Sequence, residues 1–183
     1  MKEGRKRNTG AVRSAKDCAY IAVFIALLIA SQLTLSAIKG VELVTVLSVS
    51  FAYCFGWKRG MLGATGFSFL RQLVFGFFPN VLILYLLYYN LLALVFGLLG
   101  KREKKLWLVC VISCVCTVCF FLLDCAITPL WYAYPLEGFK VYFYSAIPVT
   151  LMHTACAGVS VALLFPPLKR GFTFVEKGGR HSP

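Results

Sequence analysis

The chain has 183 residues, of which 60% are hydrophobic and only 14% charged; a soluble domain of this length carries about 25% charged residues. Six spans of about 20 residues each would occupy most of these residues, leaving short connections and no room among them for a soluble catalytic or nucleotide-binding domain. The net charge of +12 suggests nucleic acid until its distribution is read. Sixteen of the 19 Lys and Arg fall in four clusters, Lys2 to Lys16, Lys58-Arg59, Lys101 to Lys105 and Lys169 to Arg180. That pattern describes membrane topology and a basic surface facing anionic lipid headgroups, with no nucleic-acid partner.

In chain order, a basic arm runs from Met1 to Asp17, followed by 21 uncharged residues from Cys18 to Ile38. This run exceeds the 7–15 apolar residues usual for a signal peptide and lacks a small-residue cleavage pattern, so a first transmembrane helix is expected. Ala22, Ala26 and Ala30 recur on one of its faces, a spacing that admits close approach of another helix. Lys39-Gly40 is read as a turn. A short second helix is expected over Val41–Phe55, with Glu42 at its outer edge. Gly56-Trp57-Lys58-Arg59-Gly60 reads as a tight basic hairpin, and a third helix is expected over Met61–Phe78. Arg71 then lies roughly 16 Å above Gly60 at 1.5 Å per residue, past the membrane midplane. A charge at that depth is costly and faces a polar cavity or a partner.

Pro79-Asn80 opens a fourth helix, Val81–Leu99, with Tyr85, Tyr88, Tyr89 and Asn90 near its middle and Gly100 as its stop. A fifth helix is expected over Leu106–Ile127, with Asp124 near its far end. Thr128–Tyr142 reads as the longest loop, rich in interfacial aromatics including Trp131. The sixth helix is expected over Phe143–Phe165, carries Pro148 and His153, and is ended by Pro166-Pro167. Eight cysteines lie nearly all in apolar runs. Cys116-x-x-Cys119 has metal or redox spacing but no His or second Cys pair beside it, so it reads as apolar filler, with no disulfide scaffold and no cofactor.

The fold class is therefore all-α, a six-helix polytopic membrane domain. Basic residues alternate between sides, 16 against the two of Lys39 and Lys140, which puts both termini in the cytoplasm. Glu42, Arg71, Asp124 and His153 then fall in the outer half and Asn90 near the middle. Two readings of these groups stand: a pocket open to the outside, or bundle contacts in which Arg71 pairs with Glu42 or Asp124.

The chain resembles the substrate-binding S component of energy-coupling factor (ECF) transporters, the bacterial vitamin-uptake systems. The likeness lies in the size, the six spans and the Ala22-x3-Ala26-x3-Ala30 face. It extends to Val41-Glu42-Leu43-Val44-Thr45 leading to Phe55-Gly56-Trp57-Lys58-Arg59-Gly60, and to a final helix with Ile147-Pro148, His153 and Leu164-Phe165-Pro166-Pro167-Leu168. The resemblance implies a non-enzymatic capture subunit in the bacterial cytoplasmic membrane. It implies that Ala22, Ala26 and Ala30 contact a membrane-embedded coupling subunit, and that two cytoplasmic ATPases complete the transporter. The chain itself carries no G-x4-G-K-[ST] loop. By depth and chemistry, Arg71 suits an anionic group of a vitamin-like ligand. Glu42 or Asp124 suits its donors, Asn90 its polar edge, and Tyr89 and Trp131 a heteroaromatic ring; His153 lies beside them in depth. No substrate signature names the ligand.

Three other classes compete. One is a stand-alone solute carrier. Another is a membrane enzyme with His153 and Asp124 as a base pair and Ser68 or a Cys as nucleophile, although no G-x-S-x-G or H-E-x-x-H motif is present. The last is a structural membrane protein.

Overall fold

The computed structural model describes residues 15–35, 43–100 and 105–178. These residues form six helices: α1 (Ala15–Leu35), α2 (Leu43–Phe55), α3 (Trp57–Phe75), α4 (Pro79–Leu99), α5 (Leu106–Trp131) and α6 (Leu136–Gly178). α1, α4, α5 and α6 are long and apolar enough to cross a membrane. The protein is an all-α, polytopic membrane protein. Helix is the physical outcome even for a segment as rich in Val, Thr and Ser as α2, because in hydrocarbon every backbone N–H and C=O must be satisfied within the segment.

α2 is the axis of the bundle. It is 13 residues long, ten of them buried, and it packs against α1, α3, α4 and α6. α3 lies on α4 and α1, and α5 joins α4 to α6. The core is aromatic: Phe24 stacks on Phe51 at 3.9 Å, Phe67 stands edge-on to Tyr89 at 5.4 Å, and Tyr53 meets Phe165 at 5.1 Å. Offset and edge-to-face ring pairs add about 0.5–1.5 kcal/mol each beyond area burial.

Several expected boundaries move. The basic hairpin contracts to a single residue, Gly56, because α3 begins at Trp57. Gly56 has φ 87° and ψ 164°, a region essentially restricted to glycine. Gly56→Ala is expected to destabilise the fold by about 1–3 kcal/mol, measured as a shifted denaturation midpoint in detergent.

The expected loop over Thr128–Tyr142 is helix at both ends, with only residues 132–135 between α5 and α6. Pro129 lacks an N–H and crowds the carbonyl four residues before it, but it falls in the last turn of α5, where Tyr132 N–H still reaches Thr128 O at 3.1 Å. Pro135 then opens α6, with Phe139 N–H donating to its carbonyl at 2.9 Å and Glu137 in the first turn. Proline followed by an acid is a helix-opening pattern that the surrounding aromatics obscured.

Pro166-Pro167 does not end α6, which runs on to Gly178. Beyond the two prolines, Phe172 packs on Phe51 and Phe55 at 6.0 and 5.9 Å, and Lys169 sits 5.0 Å over Tyr53. Burial against the end of α2 outweighs the local cost of the prolines. At 43 residues, α6 is about 64 Å long, roughly twice the hydrocarbon thickness of a bilayer.

α1 also begins earlier than expected, at Ala15. Asp17 in its first turn pairs with Arg59 of α3 at 2.8 Å, both side chains less than one-tenth exposed. Arg59 is thus an internal strut rather than a loop charge. The contact places the N-terminal ends of α1 and α3 together. Gly97 and Gly100 of α4 lie against the Tyr53–Trp57 backbone at the same end of the bundle, hereafter the basic end.

Candidate functional site

Apart from one atom each on Ser50, Arg59 and Thr154, the buried side-chain polar atoms without partners among the described residues lie away from the basic end. Arg71, in the last two turns of α3, has Nε and Nη1 buried with no hydrogen-bond partner. Its guanidinium carbon lies 4.3 Å over the Tyr85 ring and 5.3 Å from the Phe75 ring. Among the described residues its contacts are with these two rings, a cation–π interaction worth about 0.5–2 kcal/mol depending on its exposure to water. Tyr85 OH also meets Gln32 Nε2 of α1 at 3.4 Å, and Gln32 Oε1 is buried without a partner. Gln72, beside Arg71, accepts the Phe78 N–H on Oε1 at 3.0 Å and leaves Nε2 buried and unbonded. Asn80, 5% exposed, gives Nδ2 to Thr128 Oγ1 at 3.4 Å and leaves Oδ1 unbonded. Leaving a buried donor or acceptor unsatisfied costs about 1–3 kcal/mol, and more for a charged group. Three donor atoms and two acceptor atoms in one region therefore call for water or a solute.

Asp124 belongs to an adjoining network. Its Oδ1 accepts from Thr128 Oγ1 at 2.8 Å and its Oδ2 from Tyr142 OH at 2.6 Å. With the Asn80 bond, this ties α4, α5 and α6 together. Asp124 and His153 line the same cavity of about 170 Å³ between α5 and α6, with Thr117, Phe120, Phe121 and Thr150 among its walls. Phe120 links the two halves of the site, standing edge-on to Tyr85 at 6.0 Å and to Tyr88 at 4.7 Å.

The structure thus brings Arg71 to the Tyr85 cluster, and Asp124 and His153 to the neighbouring cavity. Tyr89 is buried behind them in the core, against Phe67, Tyr85 and Tyr88. Asn90 is satisfied within the bundle, accepting from Thr65 Oγ1 at 3.2 Å and donating to Leu86 O at 2.8 Å. Trp131 is half exposed at the end of α5, outside both groups. Glu42 lies outside the described residues. Arg59–Asp17 and Lys140–Glu137 form ion pairs; Arg71 makes no ion pair with Asp124, and Glu42, the other partner anticipated for it, lies outside the described residues. Ser68, the nucleophile of the enzyme reading, is fully buried with its hydroxyl given to Ala64 O at 2.8 Å. All eight cysteines are free thiols.

Gln32, Gln72, Asn80, Thr128 and Tyr142 did not stand out in the sequence. The first two carry a usable signal, a side-chain amide inside an otherwise apolar run. The role of Tyr142 was hidden by its assignment to a loop.

Along α1, Ala22, Ala26 and Ala30 are exposed, while Ile21, Phe24 and Leu28 of the same helix are buried. The alanine face is left uncovered by the described residues.

Comparison with protein-family models, curated proteins and solved structures gives no match to this chain.

Proposed function

We propose that this protein is the membrane-embedded substrate-capture subunit of an ECF-type transporter, taking up a vitamin or similar small micronutrient. The observation that carries the reading is the set of five buried, unpartnered polar atoms on Gln32, Arg71, Gln72 and Asn80. They are confined to the half of the bundle opposite the basic end. Buried polar groups that the protein's own atoms leave unmet are groups that water or a ligand can meet. Arg71 supplies the charge for an anionic group of the solute. Gln32 and Asn80 supply acceptors and Gln72 a donor, while Tyr85 and Phe75 supply aromatic surface.

Two further features support the capture-subunit assignment. The exposed Ala22, Ala26 and Ala30 face suits a coupling subunit of the membrane, which would bring two cytoplasmic ATPases. The charge asymmetry favours a bacterial cytoplasmic membrane orientation with both termini inside, so that the unpartnered polar groups face outward. Solute bound there would cross when the subunit reorients against its coupling partner.

Native mass spectrometry of protein purified in mild detergent from cells in rich medium tests the reading. A retained adduct of small-molecule mass is expected, and Arg71→Ala is expected to weaken its binding about 100-fold, in line with the 2–5 kcal/mol lost when a buried charged contact is truncated. A wild-type protein that retains nothing, even after addition of a vitamin mixture, would sink the proposal. Retention unchanged in Arg71→Ala would remove the cationic role given to that residue.

A further inference from the structure

Asp124 faces the α5–α6 cavity, whose lining includes His153 but no lysine or arginine. Asp124 stands in the second half of a 26-residue apolar helix, at a depth where a carboxylate faces a cavity or a partner. Its two hydrogen-bond donors, Thr128 and Tyr142, are hydroxyls, which bring dipoles and no charge. The Arg59–Asp17 and Lys140–Glu137 pairs lie elsewhere. A carboxylate has about four lone-pair sites, so the two hydroxyls leave room for a further donor. The cavity beside it is walled by the Phe120 and Phe121 rings on α5 and by Ala146, Thr150 and His153 on α6.

We propose that this cavity is a subsite for a small organic cation, a protonated amine or amidine. The cationic group meets Asp124, and the apolar body rests against Phe120 and Phe121. Aromatic faces favour a cation over a neutral isostere, and more strongly where both are desolvated. The volume of about 170 Å³ is close to the ~150 Å³ of a cavity that holds benzene, so the apolar body accommodated is about the size of one benzene ring. Through Phe120 the subsite adjoins Tyr85 and hence Arg71. A solute spanning both would carry an anionic and a cationic group.

The inference rests on the solute-capture reading and adds the chemical class of the solute. Its test uses benzylammonium and its neutral isostere benzyl alcohol, titrated calorimetrically into the full chain in lipid nanodiscs, with empty nanodiscs as the blank. Wild-type protein is expected to bind benzylammonium at least tenfold more tightly than the alcohol. Asp124→Asn is expected to bring the two affinities within about twofold. Ala146→Leu fills the cavity, leaves Asp124 in place and is expected to abolish binding of both, which keeps the test decisive if Asp124→Asn does not fold. Equal affinities in the wild type, or a preference that survives Asp124→Asn, would overturn the proposal. A retained natural solute without a cationic group would overturn it while leaving solute capture intact. Asp124-dependent benzylammonium binding in a protein that retains no natural solute would uphold the subsite and separate it from the capture reading.

Discussion

Asp17→Ala is expected to destabilise the protein by about 3–5 kcal/mol, the range for removing one partner of a buried ion pair. The pair is compact, Arg59 Nη2 to Asp17 Oδ1 at 2.8 Å, with side chains 8% and 9% exposed. Arg59 Nε is already buried without a partner, so the guanidinium depends heavily on this carboxylate. Removing the carboxylate strands a full positive charge between α1 and α3. The cost is that of an uncompensated buried cation and exceeds the net worth of the pair itself. The distinction is measurable, because replacing both residues by leucine removes the stranded charge and is expected to recover most of the loss. Denaturation in mixed micelles, followed by tryptophan fluorescence, reads both variants. A loss below about 1 kcal/mol in Asp17→Ala would mean that Arg59 reaches solvent and that the strut does not hold α1 to α3.

The second large effect lies at the same end of the molecule. Gly97→Val is expected to cost at least about 3 kcal/mol, the upper end of the overpacking range. A Cβ at Gly97 would overlap the backbone nitrogen and Cα of Trp57, and one at Gly100 would overlap the Tyr53 carbonyl. The obstacle is backbone, which cannot rotate away as a flexible side-chain tip does. α4 would have to shift off the α2–α3 junction, where Gly60 already seats between Ala52 and Ala93 with clearances of 3.0 and 3.1 Å for an added Cβ. The matching control is Gly171, which has nothing within 4 Å of an added Cβ. Gly171→Ala is expected to be neutral or to stabilise by up to about 1 kcal/mol, because alanine loses less backbone entropy in a helix. A Gly97→Val variant as stable as Gly171→Ala would refute the close-packed junction.

Both predictions concern contacts between segments far apart in the chain, and that is where sequence reasoning ran short. The run of uncharged residues after Asp17 announces α1, but nothing in it announces that Asp17 will meet Arg59. Gly100 is legible in the sequence as a helix stop, yet which backbone it and Gly97 admit depends on how α4 crosses the α2–α3 junction. The same holds at the candidate site. Arg71 is conspicuous as a charge inside an apolar run. Its neighbour Gln72, and Gln32 bound to Tyr85 across 53 positions of sequence, carry no charge and pass as ordinary polar residues. Asn90 suited a ligand by depth alone, but its amide is taken up by Thr65 and Leu86. Depth is a one-dimensional coordinate, and a site also needs the helix face to turn inward.

Hydropathy and run length were sufficient for the membrane class, the all-α architecture and the number of helices. These are sums over neighbouring residues, so a local reading recovers them. The bundle alone decided that Pro166-Pro167 lies within a helix, that Arg59 is a buried strut, and that Asp124 meets Tyr142 rather than Arg71. Each of those outcomes turns on side-chain burial between helices, which outweighs local propensity and becomes visible only when the helix crossings are known.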